Sequence, residues 1–453
     1  MPYAPATADD VRHMLDAIGV ASIDELFQDV PEALRLDRDL DLPAGVSEPE
    51  LVARAQQLAS QTLDLTQVTS FLGCGSYDHF VPAVVRAITA RSEYATAYTP
   101  YQPELSQGTL QTIFEFQSSI AALAGLPVAN ASLYDGATAV AEATYLSEQV
   151  TGRGRLVVLG TVAPQVRAVL DTYADAYGMT VTVVDHHPEQ GIVLVDDVAA
   201  VLDQDVAALV VQQPNSFGLL EDAPALVAAA NAVGAVPVVS ADPISLGVLA
   251  APGSYGAGVV VGDGQPLGVA PSAGGPTFGF MAAQERFLRR MPGRIVGETV
   301  DAAGTRGYVL TLQTREQHIR REKATSNICT NQALCALAGL VHMSWLGPQG
   351  IRELGAIQFE RAAAARARLL RVPGVTPGPG GADAPVFREF VVQLPVPAQQ
   401  VVDAALEHGV LAGLPVGDAW PQLGDGALLV AATELRTNDD IELLGRVVEE
   451  VLA

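Results

Sequence analysis

Between about residue 150 and residue 285, short apolar and β-branched runs recur, at 156–159, 180–184, 208–212, 236–240 and 259–261. Most of the intervening gaps have room for a helix, and 164–177 and 224–233 read as two of them. A strand with one face in water alternates polar and apolar residues. These runs do not alternate, so both of their faces are covered. Parallel neighbours need a crossover of a dozen or more residues, which a helix supplies. The spacing therefore predicts an α/β fold, with a mostly parallel sheet between helices.

At 453 residues the chain exceeds one typical domain,. Residues 1–70 read as a helical arm, with helices over 8–18 and 48–63, that packs on something else rather than building its own core. Residues 71–315 form the large α/β domain. Residues 316–453 read as a long connecting helix (a helical stretch over 311–343, then 349–370) and a small α/β domain. That domain has strands at 387–394 and 427–431 and helices at 398–408 and 438–451. The Gly/Pro-dense stretch 373–384 is a flexible connector.

Composition narrows the function classes. Hydrophobic residues make up 49% of the chain and the mean hydropathy is +0.26, which suggests a large core and a buried subunit interface. No apolar run approaches the roughly 18 residues of a membrane span. The start, Met1-Pro2-Tyr3-Ala4, has no basic region leading into an apolar core, so the chain reads as cytoplasmic,. The net charge of -25 repels phosphate backbones and excludes nucleic acid as a partner,. Cys74, Cys329 and Cys335 have neither disulfide-framework nor metal spacing, so no metal is expected,. Of the 26 basic residues, 25 are arginine and one, Lys323, is lysine.

Three features point to a pyridoxal-phosphate enzyme fold. Asp135-Gly136-Ala137-Thr138 opens a helix whose free N–H groups and dipole suit a phosphate, or is a plain capped helix start,. Asp242 ends the strand at 236–240, where ligands of such sheets bind. It can pair with a pyridinium nitrogen, or cap the turn before Pro243. The strand at 258–262 runs into Asp263-Gly264-Gln265-Pro266, where the Schiff-base lysine of this fold belongs, and no lysine is there. Schiff-base chemistry needs a primary amine, which arginine does not offer. Lys323 sits among Arg320, Arg321 and Glu322, a run that marks a solvated or interface-facing surface. His79 beside Asp78 reads as an oriented pair, and His318 has no assigned role.

Several segments carry a resemblance. They are Phe71-Leu72-Gly73, Tyr98-Thr99-Pro100-Tyr101-Gln102-Pro103-Glu104-Leu105-Ser106-Gln107-Gly108 and Asn130-Ala131-Ser132-Leu133-Tyr134-Asp135-Gly136. Others are Gln213-Pro214-Asn215, Asp242-Pro243-Ile244-Ser245-Leu246-Gly247, Pro292-Gly293-Arg294 and Lys323-Ala324-Thr325-Ser326-Asn327-Ile328. Over nearly its whole length the chain resembles the amino-terminal half of glycine decarboxylase, the glycine cleavage P-protein, in its two-subunit bacterial form. It departs around Ser272-Ala273-Gly274-Gly275-Pro276-Thr277, where bulkier residues are expected at 273 and 277.

The resemblance implies a type I pyridoxal-phosphate transferase fold whose cofactor is bound covalently by a partner, P-protein subunit 2, in an α2β2 assembly. It also implies glycine as substrate, release of CO2, and transfer of the aminomethyl group to the lipoyl group of the H-protein. On this reading Tyr98, Tyr101, Gln102 and Glu104 reach a shared active site. Asp135, Gly136, Thr138, Asp242, Gln265 and Pro266 are then remnants of an ancestral cofactor site. Two alternatives stay open: an autonomous pyridoxal lyase or aminotransferase using Lys323, and a purely structural partner subunit.

Overall fold

The computed structural model describes residues 5–272 and 274–453. The start read for a leader, residues 1–4, and Ala273 of the departing loop lie outside the described residues. Two compact units result, divided between Leu63 and Asp64.

The first unit carries helices Ala8–Ile18 and Glu48–Ala59. Each starts at a reciprocal cap, Thr7 with Asp10 and Ser47 with Glu50, which satisfies N–H groups that a helix start leaves free,. The second helix stops at Ala59, short of the expected 63, where Ser60 closes it. Neither helix has a buried residue, and Met14, Ile18, Leu51 and Leu58 are exposed.

The second unit is built on a seven-stranded sheet. Its strands are β1 (Val128–Ala129), β2 (Arg155–Leu159), β3 (Thr180–Val184), β4 (Val206–Gln213), β5 (Val236–Ala241), β6 (Val259–Asp263) and β7 (Gly279–Ala283). The spatial order is β1-β7-β6-β5-β4-β2-β3. Strands β2 to β6 run parallel, and β7 is antiparallel to both neighbours. All five expected runs are strands; 180–184 is matched at both ends and the other four are extended by one to three residues in all. Neighbouring residues of a strand serve opposite layers, as the two-residue period requires. Val238, Val259 and Val261 pack with Val140, Ala143 and Leu146 of helix Gly136–Thr151. Val239 and Val260 pack with Phe116 and Ile120 of helix Gln107–Ala124.

A small antiparallel sheet follows in the order Thr376–Pro377, Glu389–Gln393, Ala427–Ala431, Leu414–Pro415, with helices Ala398–Glu407 and Asn438–Leu452 in the same core. Phe217 and Trp420 join it to the large sheet with rings 4.9 Å apart, and Trp420 Nε1 donates to Gly160 O at 3.0 Å.

One expectation fails. The predicted helix over 311–343 does not exist as such. Its first residue ends a hairpin, Ile295–Val300 with Arg306–Thr311, that the sequence reading missed. Short turns follow at Gln313–Arg315, Gln317–Arg320 and Arg321–Lys323, and the helix proper begins at Ala333. The apolar periodicity of 333–343 was extended backwards over a polar segment whose backbone is held by side chains. Arg315 Nη2, for example, donates to Gly293 O at 2.9 Å. Lys323 is therefore on a turn rather than a long helix, and Cys329 is exposed. Helix Ala333–Leu369 breaks at Gly347 (φ 63), just before Pro348,.

Candidate functional site

A cavity of about 330 Å³ lies beyond the carboxyl ends of β4, β5 and β6. Gln212, Asp242 and Asp263 line it from the sheet, Asp135 and Gly136 from a helix start, and Arg388 and Glu389 from the small domain. This is the crevice where an open α/β sheet places its ligands.

The helix start is already occupied by the chain's own groups. Asp135 caps it, accepting from Thr138 N at 2.8 Å. The next free N–H, that of Gly136, donates at 2.8 Å to Oδ2 of Asp263. Asp263 Oδ1 accepts from Gln265 N at 2.9 Å, and Thr277 Oγ1 also donates to it. A carboxylate at the end of β6 thus takes the place an anion would take at this helix. Burial raises the Asp263 carboxyl above its ordinary range, opposed by these hydrogen bonds. The approach is close enough that a Cβ on Gly136 would lie 2.8 Å from Asp263 Cβ, so only glycine fits,.

Asp242 caps its turn, accepting from Ile244 N at 2.9 Å and Ser245 N at 3.0 Å. It also holds Arg388, whose Nη1 and Nη2 donate to its two oxygens at 2.6 and 3.1 Å. Arg388 is 1% exposed. Its Nε and Nη2 both donate to Gln358 Oε1, at 2.9 and 2.7 Å, and its guanidinium lies 4.2 Å from the Tyr77 ring centroid. Burial works against the charge on Arg388, yet Asp242, Tyr77, Glu389 and Glu434 together outweigh it and the guanidinium stays protonated,. Beside it, Glu389 accepts from the Tyr77 hydroxyl and, at 2.6 Å, from Cys74 N. Burial raises the Glu389 carboxyl and pushes the Tyr77 hydroxyl well above its usual range. The residue holding this corner, Arg388, has φ 61, a strained backbone for a non-glycine residue,.

Gln265 stands where the fold expects an amine. Its side chain instead staples a neighbouring segment, accepting from Tyr77 N at 3.0 Å and donating to Tyr77 O and Val269 O at 2.9 Å each. Lys323 is exposed and does not line the cavity. The Asp78–His79 pairing is not formed. Asp78 Oδ2 accepts from Arg436 at 2.8 Å, while His79 Nδ1 faces Tyr77 O at 3.0 Å. Arginine outcompetes histidine for the carboxylate because it stays charged when desolvated. Among the described residues no group of three or more His, Cys, Asp or Glu side chains is placed to hold a metal ion.

The candidate residues fall into two groups that the structure does not bring together. Asp135, Gly136, Asp242 and Pro266 line the cavity, with Thr138 and Gln265 bonded just behind it. Tyr98, Tyr101, Gln102 and Glu104 form an exposed loop, with Tyr98 at 79% exposure. Pro100 is buried and anchors that loop, and Gln107 Nε2 bonds both Pro103 O and Tyr308 O at 2.8 Å. Tyr101 packs edge-on against His318 at 5.9 Å and under the Arg294 guanidinium at 5.7 Å.

Sequence reasoning missed Arg388, Glu389, Tyr77 and Gln358. One signal was available: adjacent charges at Arg388-Glu389 interrupt an apolar run, which marks a buried pair rather than a surface strand.

The model of the glycine cleavage system P-protein family matches residues 1–447. The chain belongs to that family. A relative from Chlorobium limicola, named probable glycine dehydrogenase (decarboxylating) subunit 1, is 48% identical over 98% of both chains. A crystal structure of glycine decarboxylase (P-protein) of the glycine cleavage system, in inhibitor-bound form, is 44% identical. It superposes with a TM-score of 0.90 over 100% of both chains. The sphingosine-1-phosphate lyase of Burkholderia pseudomallei, 17% identical with a TM-score of 0.64 over 93% of this chain and 94% of its own, shares the fold. Against this family background, the large sheet with its antiparallel β7 is that of a type I pyridoxal-phosphate transferase.

Proposed function

We propose that this P-protein-family chain is the subunit of glycine decarboxylase that does not itself hold pyridoxal phosphate. The assembled α2β2 enzyme takes glycine, releases CO2 and passes the aminomethyl group to the lipoyl arm of the H-protein. The cofactor, held covalently by the partner subunit 2, supplies the electron sink for that chemistry.

One observation carries the reading: in this chain the contacts a cofactor would need are made by the protein itself. Asp263 takes the phosphate place at Gly136, Arg388 takes the cation place at Asp242, and Gln265 stands where an amine is required,. Pyridoxal phosphate does not fit these residues.

The chain's own contribution is then the loop at Tyr98, Tyr101, Gln102 and Glu104. Two prolines stiffen it, and its exposed hydroxyl, amide and carboxyl groups are free to hydrogen-bond across an interface,. Placed over the partner's site, it closes around a substrate as small as glycine and excludes water.

The test is reconstitution. The isolated chain with added cofactor gives no imine absorbance band and no glycine–bicarbonate carbon exchange, while the chain purified with its partner exchanges. Exchange by the isolated chain, or a band that Lys323→Ala abolishes, overturns the proposal in favour of an autonomous enzyme. Tyr98→Phe in the intact complex raises the glycine KM or lowers the exchange rate. Unchanged kinetics would leave this subunit a structural partner only.

A further inference from the structure

The charge of this chain is unevenly laid out. Residues 289–323 hold eight of the 26 cationic side chains and four of the 51 acidic ones, a net positive segment in a chain of net charge -25. The rest is correspondingly more acidic, with 18 cations against 47 carboxylates. Arg289, Arg290, Arg306, Arg320, Arg321 and Lys323 are exposed. Among the described residues, Arg320, Arg321 and Lys323 meet no carboxylate within ion-pair distance.

Contacts tie Arg290 and the segment 318–325 into one surface. Gln149 joins Arg290 (3.5 Å) to Thr325 O (2.8 Å), just after the Arg321–Lys323 turn. His318, at the other end of that turn sequence, packs on Tyr101 of the exposed loop. Ile319, 49% exposed, precedes the cations as an apolar contact point.

We propose that this basic ridge, His318 to Lys323 with Arg290, receives the acidic face of the protein that carries the lipoyl arm. The inference rests on the functional reading above and adds where the carrier docks. A surface of this kind suits a compact acidic partner rather than a polyanion. A long phosphate chain that overran the ridge would meet the negative remainder of the molecule, whereas a small domain touches the ridge alone. An acidic face approaching so acidic a chain needs a local positive field to steer it, and steering of this kind raises association rates and weakens with salt,. The ridge adjoins the Tyr101 loop, so a carrier seated on it has its arm beside the place where that loop closes the shared site.

The experiment uses the complex reconstituted with its partner subunit and follows glycine–bicarbonate exchange with two acceptors: the lipoylated carrier protein, and free lipoic acid, which needs no docking surface. In Arg320→Glu/Arg321→Glu the KM for the carrier rises about tenfold or more at low salt, and the gap to wild type narrows as salt increases. Exchange with free lipoic acid and co-purification with the partner stay at wild-type levels. The neutral pair Arg320→Gln/Arg321→Gln gives a smaller rise of the same kind. An unchanged carrier KM in the charge-reversed complex makes the ridge a solvated surface and overturns the inference. Equal loss with both acceptors, or loss of assembly, assigns the ridge to the subunit interface and overturns it too. If the wild-type complex exchanges with neither acceptor, the functional reading falls and takes this inference with it.

Discussion

Replacing Arg388 with methionine tests the claim that the chain's own arginine completes the corner of the cavity. The substitution keeps most of the volume and removes the charge. It deletes two hydrogen bonds to Asp242, at 2.6 and 3.1 Å, and two to Gln358 Oε1, at 2.9 and 2.7 Å. The arginine and aspartate side chains are 1% and 16% exposed, so water replaces little of what is lost. Removing one partner of such a buried pair costs about 3–5 kcal/mol, because the other charge is left without compensation. That corresponds to two to four orders of magnitude in the folded-to-unfolded ratio. Urea unfolding followed by circular dichroism reads the loss. The companion variant Arg388→Met/Asp242→Asn removes the stranded charge as well and recovers most of the stability, because the two sites share one interaction. A loss below about 1 kcal/mol in the single variant would show that Asp242 is solvated without its partner. A double variant no better than the single would show that arginine acts through packing alone. Either result refutes the reasoning.

Three further outcomes follow from buried groups. Glu142 is 1% exposed, and burial raises its carboxyl to about 7 with only Ser326 opposing. Its protonated form is favoured on folding, so its contribution is fully present below about pH 4.5 and is lost as pH rises through about 7. Glu142→Gln therefore stabilises the chain at pH 8 by an amount on the order of 3 kcal/mol and leaves it unchanged near pH 4, read as thermal midpoints across that range. His342 is buried, and desolvation pushes its imidazole down to about 4, helped by His79 and opposed by Glu434. Its neutral form belongs to the fold, so stability is present above about pH 6.5 and is lost as pH falls toward 4. His342→Gln flattens that acid limb, and an unchanged acid midpoint would dismiss the residue. Gln265→Lys restores an amine at the expected turn but gives no imine band with added pyridoxal phosphate, because Asp263 and Arg388 still fill the other contacts. Titrating the variant spectrophotometrically checks this.

The large sheet was legible because its strands are covered on both faces, and uninterrupted apolar runs such as 206–211 announce that directly. Helix ends were legible where a cap is written into the sequence, as at Asp135 with Thr138. The segment 313–332 was not, since its backbone is organised by distant side chains. Arg315 reaches Met291 O and Gly293 O, and Arg294 Nη2 reaches Cys329 O at 2.9 Å. Local periodicity carries no trace of such bonds. The cavity was half legible for the same reason. Asp242 and Gln265 lie at strand ends where a sheet places ligands. The arginine that meets Asp242 comes from 146 residues further along, and its arrival depends on how the small domain packs.

On the proposed function, the self-completion of this cavity also bears on how a subunit that holds no cofactor keeps a cofactor enzyme's fold. An empty ancestral site would leave three expensive groups behind: free N–H groups at a helix start, a carboxylate facing a pocket, and a turn without its anchoring side chain. Each buried unpaired group costs about 1–3 kcal/mol, more when charged, and together they approach the net stability of an ordinary domain. Here Asp263, Arg388 and Gln265 remove those penalties one by one, with groups of the required charge at each position. On the proposed function folding owes nothing to a ligand, and the exposed surface at the Tyr98–Glu104 loop and the basic ridge beside it serves the chain's partners.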